Sequence, residues 1–304
     1  MEKVLITGIA GGQGRLLARR LAENYEVCGV DRVAWEGAPR GIRVHTVDLR
    51  KKKFEDVIRT EMPTAIVHMG FVRHFRSDAG TRHDVNVRGT KQLLDHCVNH
   101  GVQKLVVLSS SYVYGAFPEN PYFMDEDQPL SGSRSYPEIR DLVEVDTLAS
   151  AFLWRYPHIR TCVLRPVNVL GCTVHSMIAE YLRQRTVPTV MGFDPMMQFI
   201  HEEDVSEAIG LALEHGLQGV FNVAGPGEVP LHTAIRESGG RALPLPEPLM
   251  RPVFAQLFRF GFLPYPPGAI DYLKFPITLS GSRFVEATRF RPLFGLEEIF
   301  QSLR

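Results

Sequence analysis

The chain has 304 residues, 44% of them hydrophobic, with 34 basic and 34 acidic side chains and a formal net charge of zero. That balance excludes a disordered polyelectrolyte and leaves no general field to draw the protein onto nucleic acid or an anionic membrane. No run approaches the ~18 consecutive apolar residues that a membrane-spanning helix needs.

The first predicted elements, over residues 3–31, carry the most information. An apolar run (Val4, Leu5, Ile6) meets Thr7-Gly8-Ile9-Ala10-Gly11-Gly12-Gln13-Gly14, and Leu16, Leu17, Ala18, Leu21 and Ala22 follow at helical spacing. A second buried run over 26–30 ends at Asp31. The pattern predicts a βαβ unit for a dinucleotide. Gly8, Gly11 and Gly14 let the chain turn tightly, approach a pyrophosphate and pack the next helix on the strand, while the first-turn N–H groups face the phosphates. A carboxylate at Asp31 accepts hydrogen bonds from a ribose diol and repels a 2′-phosphate, which favours NAD over NADP; Arg32 beside it is the opposing signal.

Further strands are predicted over 43–47, 65–69, 104–108, 161–164 and 220–223, mostly separated by helical patterns. This alternation defines an α/β fold, a Rossmann-type doubly wound parallel sheet. Arg50-Lys51-Lys52-Lys53 reads as a solvated helix start. His96 and His100, four apart on a helix, read as surface histidines because no nearby glutamate or third ligand completes a metal site in sequence. Beyond residue 165 the elements shorten and prolines accumulate, which implies a smaller C-terminal α/β substrate domain. The strand at 220 returns to the main sheet. The expected division is therefore 1–165 with about 199–225 for the NAD-binding domain, and about 166–198 with 226–304 for the substrate-binding domain. The Phe-rich stretch over 249–264 reads as core or pocket lining, with a dimer or membrane-surface contact as the alternative.

Ser109-Ser110-Ser111-Tyr112-Val113-Tyr114-Gly115 follows the 104–108 strand at its carboxyl end, where open α/β sheets place their chemistry. Tyr136-Pro137-Glu138-Ile139-Arg140 and Glu144 come next. At this point the chain resembles the extended short-chain dehydrogenase/reductase family of NAD-dependent epimerases and dehydratases. The resemblance spans nearly the whole chain and takes in Asp48-Leu49, His68, Asn86-Val87-Arg88-Gly89-Thr90, Arg165-Pro166-Val167-Asn168-Val169-Leu170-Gly171, Phe199-Ile200-His201-Glu202-Glu203-Asp204-Val205 and Phe221-Asn222-Val223.

The resemblance implies an NAD-dependent oxidoreductase that transfers hydride on a hydroxylated substrate, with Tyr136 as acid/base and Ser110 bonding the reacting oxygen. Arg140 occupies the place of the family's lysine, which holds the nicotinamide ribose and lowers the tyrosine pKa. A guanidinium there keeps the charge but is bulkier and relays no proton. Pro137 sets Tyr136 at a helix start. The implied cofactor contacts are Gly8, Gly11, Gln13, Gly14, Asp31, Arg32, Asp48, Leu49, His68, Tyr136 and Arg140; the implied substrate contacts are Ser111, Tyr112, Asn168 and Met197. His201 and Asp204 are expected to brace the domain junction.

A nucleotide sugar is the family's substrate class, yet Met197 stands where an arginine pairs with the diphosphate, and Pro266-Pro267-Gly268-Ala269-Ile270-Asp271 lacks a second one. A diphosphate without bidentate partners loses much of its binding energy. Arg183, Arg185, Arg251 and Lys274 are the candidate replacements. Two alternatives remain open: a dehydrogenase of an apolar alcohol or ketone, and a cofactor-binding protein with little catalysis. No metal and no nucleic acid partner is expected, and a homodimer is possible. Cys28, Cys97, Cys162 and Cys172 form no C-x-x-C pair and sit mostly in apolar segments, as reduced buried thiols do. With a first strand starting at the third residue, no signal peptide is expected and the location is expected to be cytoplasmic.

Overall fold

The computed structural model describes residues 2–72, 78–261, 263 and 265–303. In chain order the first half comprises β1 (Lys3–Thr7), α1 (Gly12–Leu21), β2 (Glu26–Asp31), β3 (Arg43–Thr46), α2 (Lys52–Glu61), β4 (Ala65–His68), α3 (Ala79–His83), α4 (Gly89–Asn99) and β5 (Lys104–Leu108). A wider π-type turn over Asp84–Arg88 joins α3 to α4. Then come a 3-10 turn at Ser111–Tyr114, α5 (Gly132–Ser135), a second 3-10 turn at Pro137–Ile139, α6 (Arg140–Arg155), β6 (Arg160–Pro166), β7 (Asn168–Leu170), α7 (Met177–Leu182), β8 (Thr186–Val190), β9 (Met196–His201) and α8 (Glu202–Glu214). The remainder is β10 (Gly219–Val223), β11 (Glu228–Pro230), α9 (Leu231–Glu237), β12 (Arg241–Leu245), α10 (Glu247–Arg259), a 3-10 segment at Pro267–Leu273, α11 (Ser282–Thr288) and α12 (Leu296–Gln301).

Seven strands form one parallel sheet in the order β10-β6-β5-β4-β1-β2-β3. Its central strands are apolar runs because both faces are covered, as in the fully buried β4, whereas the edge strand β3 is partly exposed. Val4 and Ile6 point into one core, which also takes in residues from α1, α8 and the C-terminal elements; Leu5 points into a second core with residues from α2, α4 and α6. The winding reverses between β1 and β4, and the crevice at their carboxyl ends is where such sheets bind ligands. Two smaller sheets, β11-β9-β7 and β12-β8, complete the described structure.

Three cysteines follow the sequence expectation. Cys28, Cys97 and Cys162 are buried and unpaired, and burial pushes the first two thiols up to about 12. Cys172 departs from it: the loop between β7 and α7 leaves the residue exposed. The Phe-rich stretch is split: Met250 and Phe254 are buried while Leu249, Val253 and Phe260 are exposed on α10 and its end. Phe262 and Pro264 lie outside the described residues. Among those residues no helix is long and apolar enough to cross a membrane.

Candidate active site

The turn from β1 into α1 is closed by backbone contact. Gly8 adopts φ +77°, and a Cβ there would sit 2.8 Å from Gly70 Cα at the end of β4; one on Gly14 would sit 2.2 Å from Gly8 O. Side chains are excluded at both places. Helix α1 then starts after Gly11, which supplies no side-chain cap to its first N–H groups. Gly11, at that helix start, borders a groove lined also by Gly8, Asp31, Arg32, Asp48, Leu49, Met69, Gly70, Phe71 and Val72. An uncapped helix start beside a glycine turn suits a diphosphate. Asp31 stands at the far side, its Oδ2 accepting from Ala10 N at 3.0 Å and its Oδ1 from Val33 N at 3.2 Å, which fixes the carboxylate at the groove. Donor set and shape fit an adenine dinucleotide. Asp48 faces the same groove but spends its carboxylate on Arg50, which also reaches Asp84; the Arg50 guanidinium holds the Asp48 carboxyl below its usual range.

Two of the expected cofactor contacts are turned elsewhere. Gln13 Nε2 donates to Glu202 O (2.9 Å) and Ser206 Oγ (2.8 Å), so its amide ties α1 to α8. His68 is buried between two hydroxyls, Nδ1 at 2.8 Å from Thr7 Oγ1 and Nε2 at 2.9 Å from Thr90 Oγ1. Burial drives its pKa down to about 3, so the imidazole is neutral and clamps β1, β4 and α4 together.

A second cavity adjoins the groove, sharing Phe71 and Val72 with it, and is lined by Arg82, Asn86, Ser110, Tyr112, Tyr136, Glu138, His175, Ser176 and Met177 among others. Ser110 and Tyr136 are thus brought together. Asn86 fixes the shared wall: its Oδ1 accepts from Val72 N (2.8 Å) and its Nδ2 donates to Val72 O (3.0 Å) and to Asp141. Tyr136 is fully buried. Its Oη lies 3.6 Å from Met177 Sδ, its ring meets Tyr272 edge-on at 5.5 Å, and the backbone of Gly268 lies so close that a Cβ there would be 2.8 Å from Tyr136 Cδ2.

Arg140 does not join them. Pro137 starts a tighter 3-10 turn and α6 begins only at Arg140, so the two residues are not one α-helical turn apart on a common face. Arg140 is exposed and lines none of these cavities. Among the described residues, the arginine that lines the cavity is Arg82 of α3, 6% exposed, with Nη2 donating to Glu138 O (2.8 Å) and Nε at 3.7 Å from Asp141 Oδ2. Burial pushes the Tyr136 phenol well above its usual range, and Arg82 partly opposes that rise. Sequence reasoning missed Arg82 because α3 reaches the cavity through tertiary packing; its place four residues before Asn86 was the available signal.

Ser111, Tyr112, Asn168 and Met197 meet beyond this cavity, in a small pocket they share with Tyr272, Phe275 and Ile277. Tyr112 Oη donates to Asn168 Oδ1 (3.1 Å), and its ring stacks on Tyr272 at 4.8 Å. Met197 also borders an apolar pocket with Tyr181, Phe254 and Tyr265. The candidate diphosphate cations are committed or remote. Arg183 donates to Val174 O and Gly171 O, Arg251 pairs with Glu247 and Asp271, Lys274 pairs with Glu247, and Arg185 is exposed. His201 and Asp204 tie β9 and α8 to the C-terminal segment: His201 stacks on Phe294 at 3.9 Å, and Asp204 accepts from Leu293 N at 2.8 Å.

A parallel sheet of this order with an adenine groove beside a Ser/Tyr cavity defines a dinucleotide-dependent oxidoreductase architecture. Residues 4–224 match the NAD dependent epimerase/dehydratase family, and the chain belongs to that family of NAD-dependent oxidoreductases. An uncharacterized protein of Mycobacterium tuberculosis is 30% identical over 256 residues, covering 80% of this chain and 67% of its own. UDP-glucose 4-epimerase 2 of Oryza sativa subsp. japonica is 28% identical over 255 residues, 70% of this chain and 62% of that one. Among solved structures, the UDP-glucose 4-epimerase of Thermus thermophilus in complex with NAD superposes with a TM-score of 0.77 at 24% identity, covering 99% of this chain and 97% of that one. DesIV, a dTDP-glucose 4,6-dehydratase from Streptomyces venezuelae, gives 0.78 at 20%, with 99% and 96% covered. At these identities the structural likeness speaks to the fold.

Proposed function

We propose that this protein catalyses reversible hydride transfer at a secondary alcohol carbon of a nucleotide sugar, the substrate class to which the names of its epimerase and dehydratase relatives point. The observation that carries the reading is the continuity of the two cavities: Ser110 and Tyr136 line a chamber that shares Phe71 and Val72 with the dinucleotide groove. When bound, NAD supplies the hydride acceptor or donor. The first-turn amides of α1 and the Asp31 carboxylate would hold its diphosphate and adenosine ribose. Tyr136 Oη exchanges the proton of the substrate hydroxyl, Ser110 Oγ bonds the same oxygen, and Arg82 supplies the positive charge that eases deprotonation of a deeply buried phenol. A homodimer and a cytoplasmic location are the accompanying expectations.

The test is ligand-dependent thermal stabilisation in saturating NAD with UDP-glucose, UDP-galactose and dTDP-glucose, paired with NADH fluorescence. A ligand at ~100 times its dissociation constant adds roughly 2.7 kcal/mol of stability. An upward shift with any of the three supports the reading, and its absence with all three overturns the substrate class.

A second reading, dehydrogenation of an apolar alcohol or ketone, is favoured by one observation. Met197 faces an aromatic and aliphatic pocket, and Arg183, Arg251 and Lys274 are held in internal pairs. A secondary alcohol without phosphate that reduces NAD, where the nucleotide sugars neither bind nor react, selects it.

A further inference from the structure

Away from the redox cavity, three ligating side chains converge between α2 and α4. Glu55 comes from α2; His96 lies on α4 and His100 immediately follows its last turn, four residues on, so both imidazoles share one face. One nitrogen of each imidazole and one carboxylate oxygen all lie within 4.8 Å of one another, and His100 Nε2 is 3.4 Å from Glu55 Oε1. The glutamate absent from the local sequence is therefore supplied by the neighbouring helix.

An ordinary Glu55–His100 ion pair does not account for the rest of the cluster. His96 Nδ1 and His100 Nε2 are buried without a hydrogen-bond partner, and so is Gln92 Oε1, one turn before His96 on the same stripe of α4. Buried polar atoms are satisfied in the great majority of cases, so three orphans beside one carboxylate call for an explanation.

We propose that Glu55, His96 and His100 bind a late first-row divalent cation, zinc above all, as a staple between α2 and α4. Two imidazoles and one carboxylate suit zinc, whereas calcium and magnesium require oxygen ligands throughout. Tetrahedral zinc with bonds of about 2.1 Å spaces its donors about 3.4 Å apart, so the side chains close in by roughly an ångström. All three side chains are half-buried. Gln92 Oε1 or water completes the shell. This proposal stands independently of the redox reading.

The experiment titrates tag-free protein with Zn2+ by calorimetry in a Cys172→Ser background, which removes the exposed thiol, and follows Co2+ absorption for the ligand field. The expected result is one equivalent bound, a melting temperature raised by Zn2+ and returned by chelator, and binding weakened roughly tenfold or more in both His96→Ala and Glu55→Gln. Glu55→Gln preserves shape, and circular dichroism of each variant verifies its helix content. Failure to bind one equivalent, or binding left unchanged by the two substitutions, overturns the site.

Discussion

Tyr136 sits at 0% exposure with its phenol pKa raised by burial, and among the described residues the arginine sharing its cavity is Arg82 rather than Arg140. The two arginines therefore make opposite predictions. Arg82→Ala removes the charge that opposes the rise, so the Tyr136 pKa climbs further. The limb of the pH–rate profile that requires tyrosinate should then move to higher pH, with turnover at neutral pH falling by roughly a hundredfold. Arg82→Lys should restore most of the limb's position. Arg140→Ala, at an exposed site, should leave both unchanged, and Tyr136→Phe should cost on the order of 10²–10⁴ in kcat. A pH profile that shifts with Arg140 but not with Arg82 would return the role to the lysine-equivalent position. Because Arg82 also donates to Glu138 O, loss of turnover alone would not separate charge from architecture; the displaced pH limb and its recovery with lysine do.

At the scale of elements, the clamp made by His68 has a pH signature of its own. Its ring bridges Thr7 on β1 and Thr90 on α4 from the end of β4. The folded pKa of about 3 lies below the unfolded value of about 6.5, so the unfolded chain takes up the proton first. Stability from this residue is complete above about pH 6.5 and is lost progressively as pH falls toward 3. His68→Gln should lower stability at neutral pH by roughly 1–3 kcal/mol, from loss of the two hydrogen bonds that tie Thr7 and Thr90 to the ring, and flatten the dependence of the urea midpoint between pH 6.5 and 4. An unaltered slope would show that His68 titrates normally in the fold.

The elements legible in the sequence were those whose burial is written as a run. The strand that begins at Lys104 coincides with its apolar segment, and the turn at Gly8 declares itself because only glycine fits against Gly70. Orientation was less legible. Pro137 announced a helix start, but the resulting 3-10 turn swings Arg140 out of the site, a rotation that sequence alignment by spacing cannot convey. Gln13 and His68 match family positions while their side chains serve packing. Arg82 and Glu55 act through neighbours distant in sequence, and no local pattern marks either.

At the scale of the whole molecule, one buried network joins the helix after Tyr136 to the far edge of the sheet. Asp146 on α6 receives Arg165 of β6 through two hydrogen bonds, at 2.9 and 2.7 Å, and accepts from Ser109 Oγ at 2.5 Å. Arg165 passes on to Tyr114 Oη (2.8 Å), which donates to Asn222 Oδ1 on β10 (2.7 Å). Both ions are essentially inaccessible, Asp146 at 0% and Arg165 at 3% exposure, so neither charge can turn to water when its partner is removed. Such a pair adds little net stability when intact, because desolvation offsets the attraction, but is expensive to break from one side, at about 3–5 kcal/mol. Asp146→Asn should therefore lower the melting temperature by about 5–8 °C, taking ~2.1 cal/mol/K of unfolding entropy per residue over the chain. The transition should stay single, because one apolar core runs without interruption from Val4 to Leu303 and includes both Leu164 of the large sheet and Phe254 of α10. Differential scanning calorimetry tests both statements. Two resolved transitions in Asp146→Asn would mean that the C-terminal elements fold apart from the sheet, and a shift below about 2 °C would mean that the guanidinium is held well enough by the acceptors it already has, Tyr114 Oη at 2.8 Å and Glu126 O at 3.2 Å.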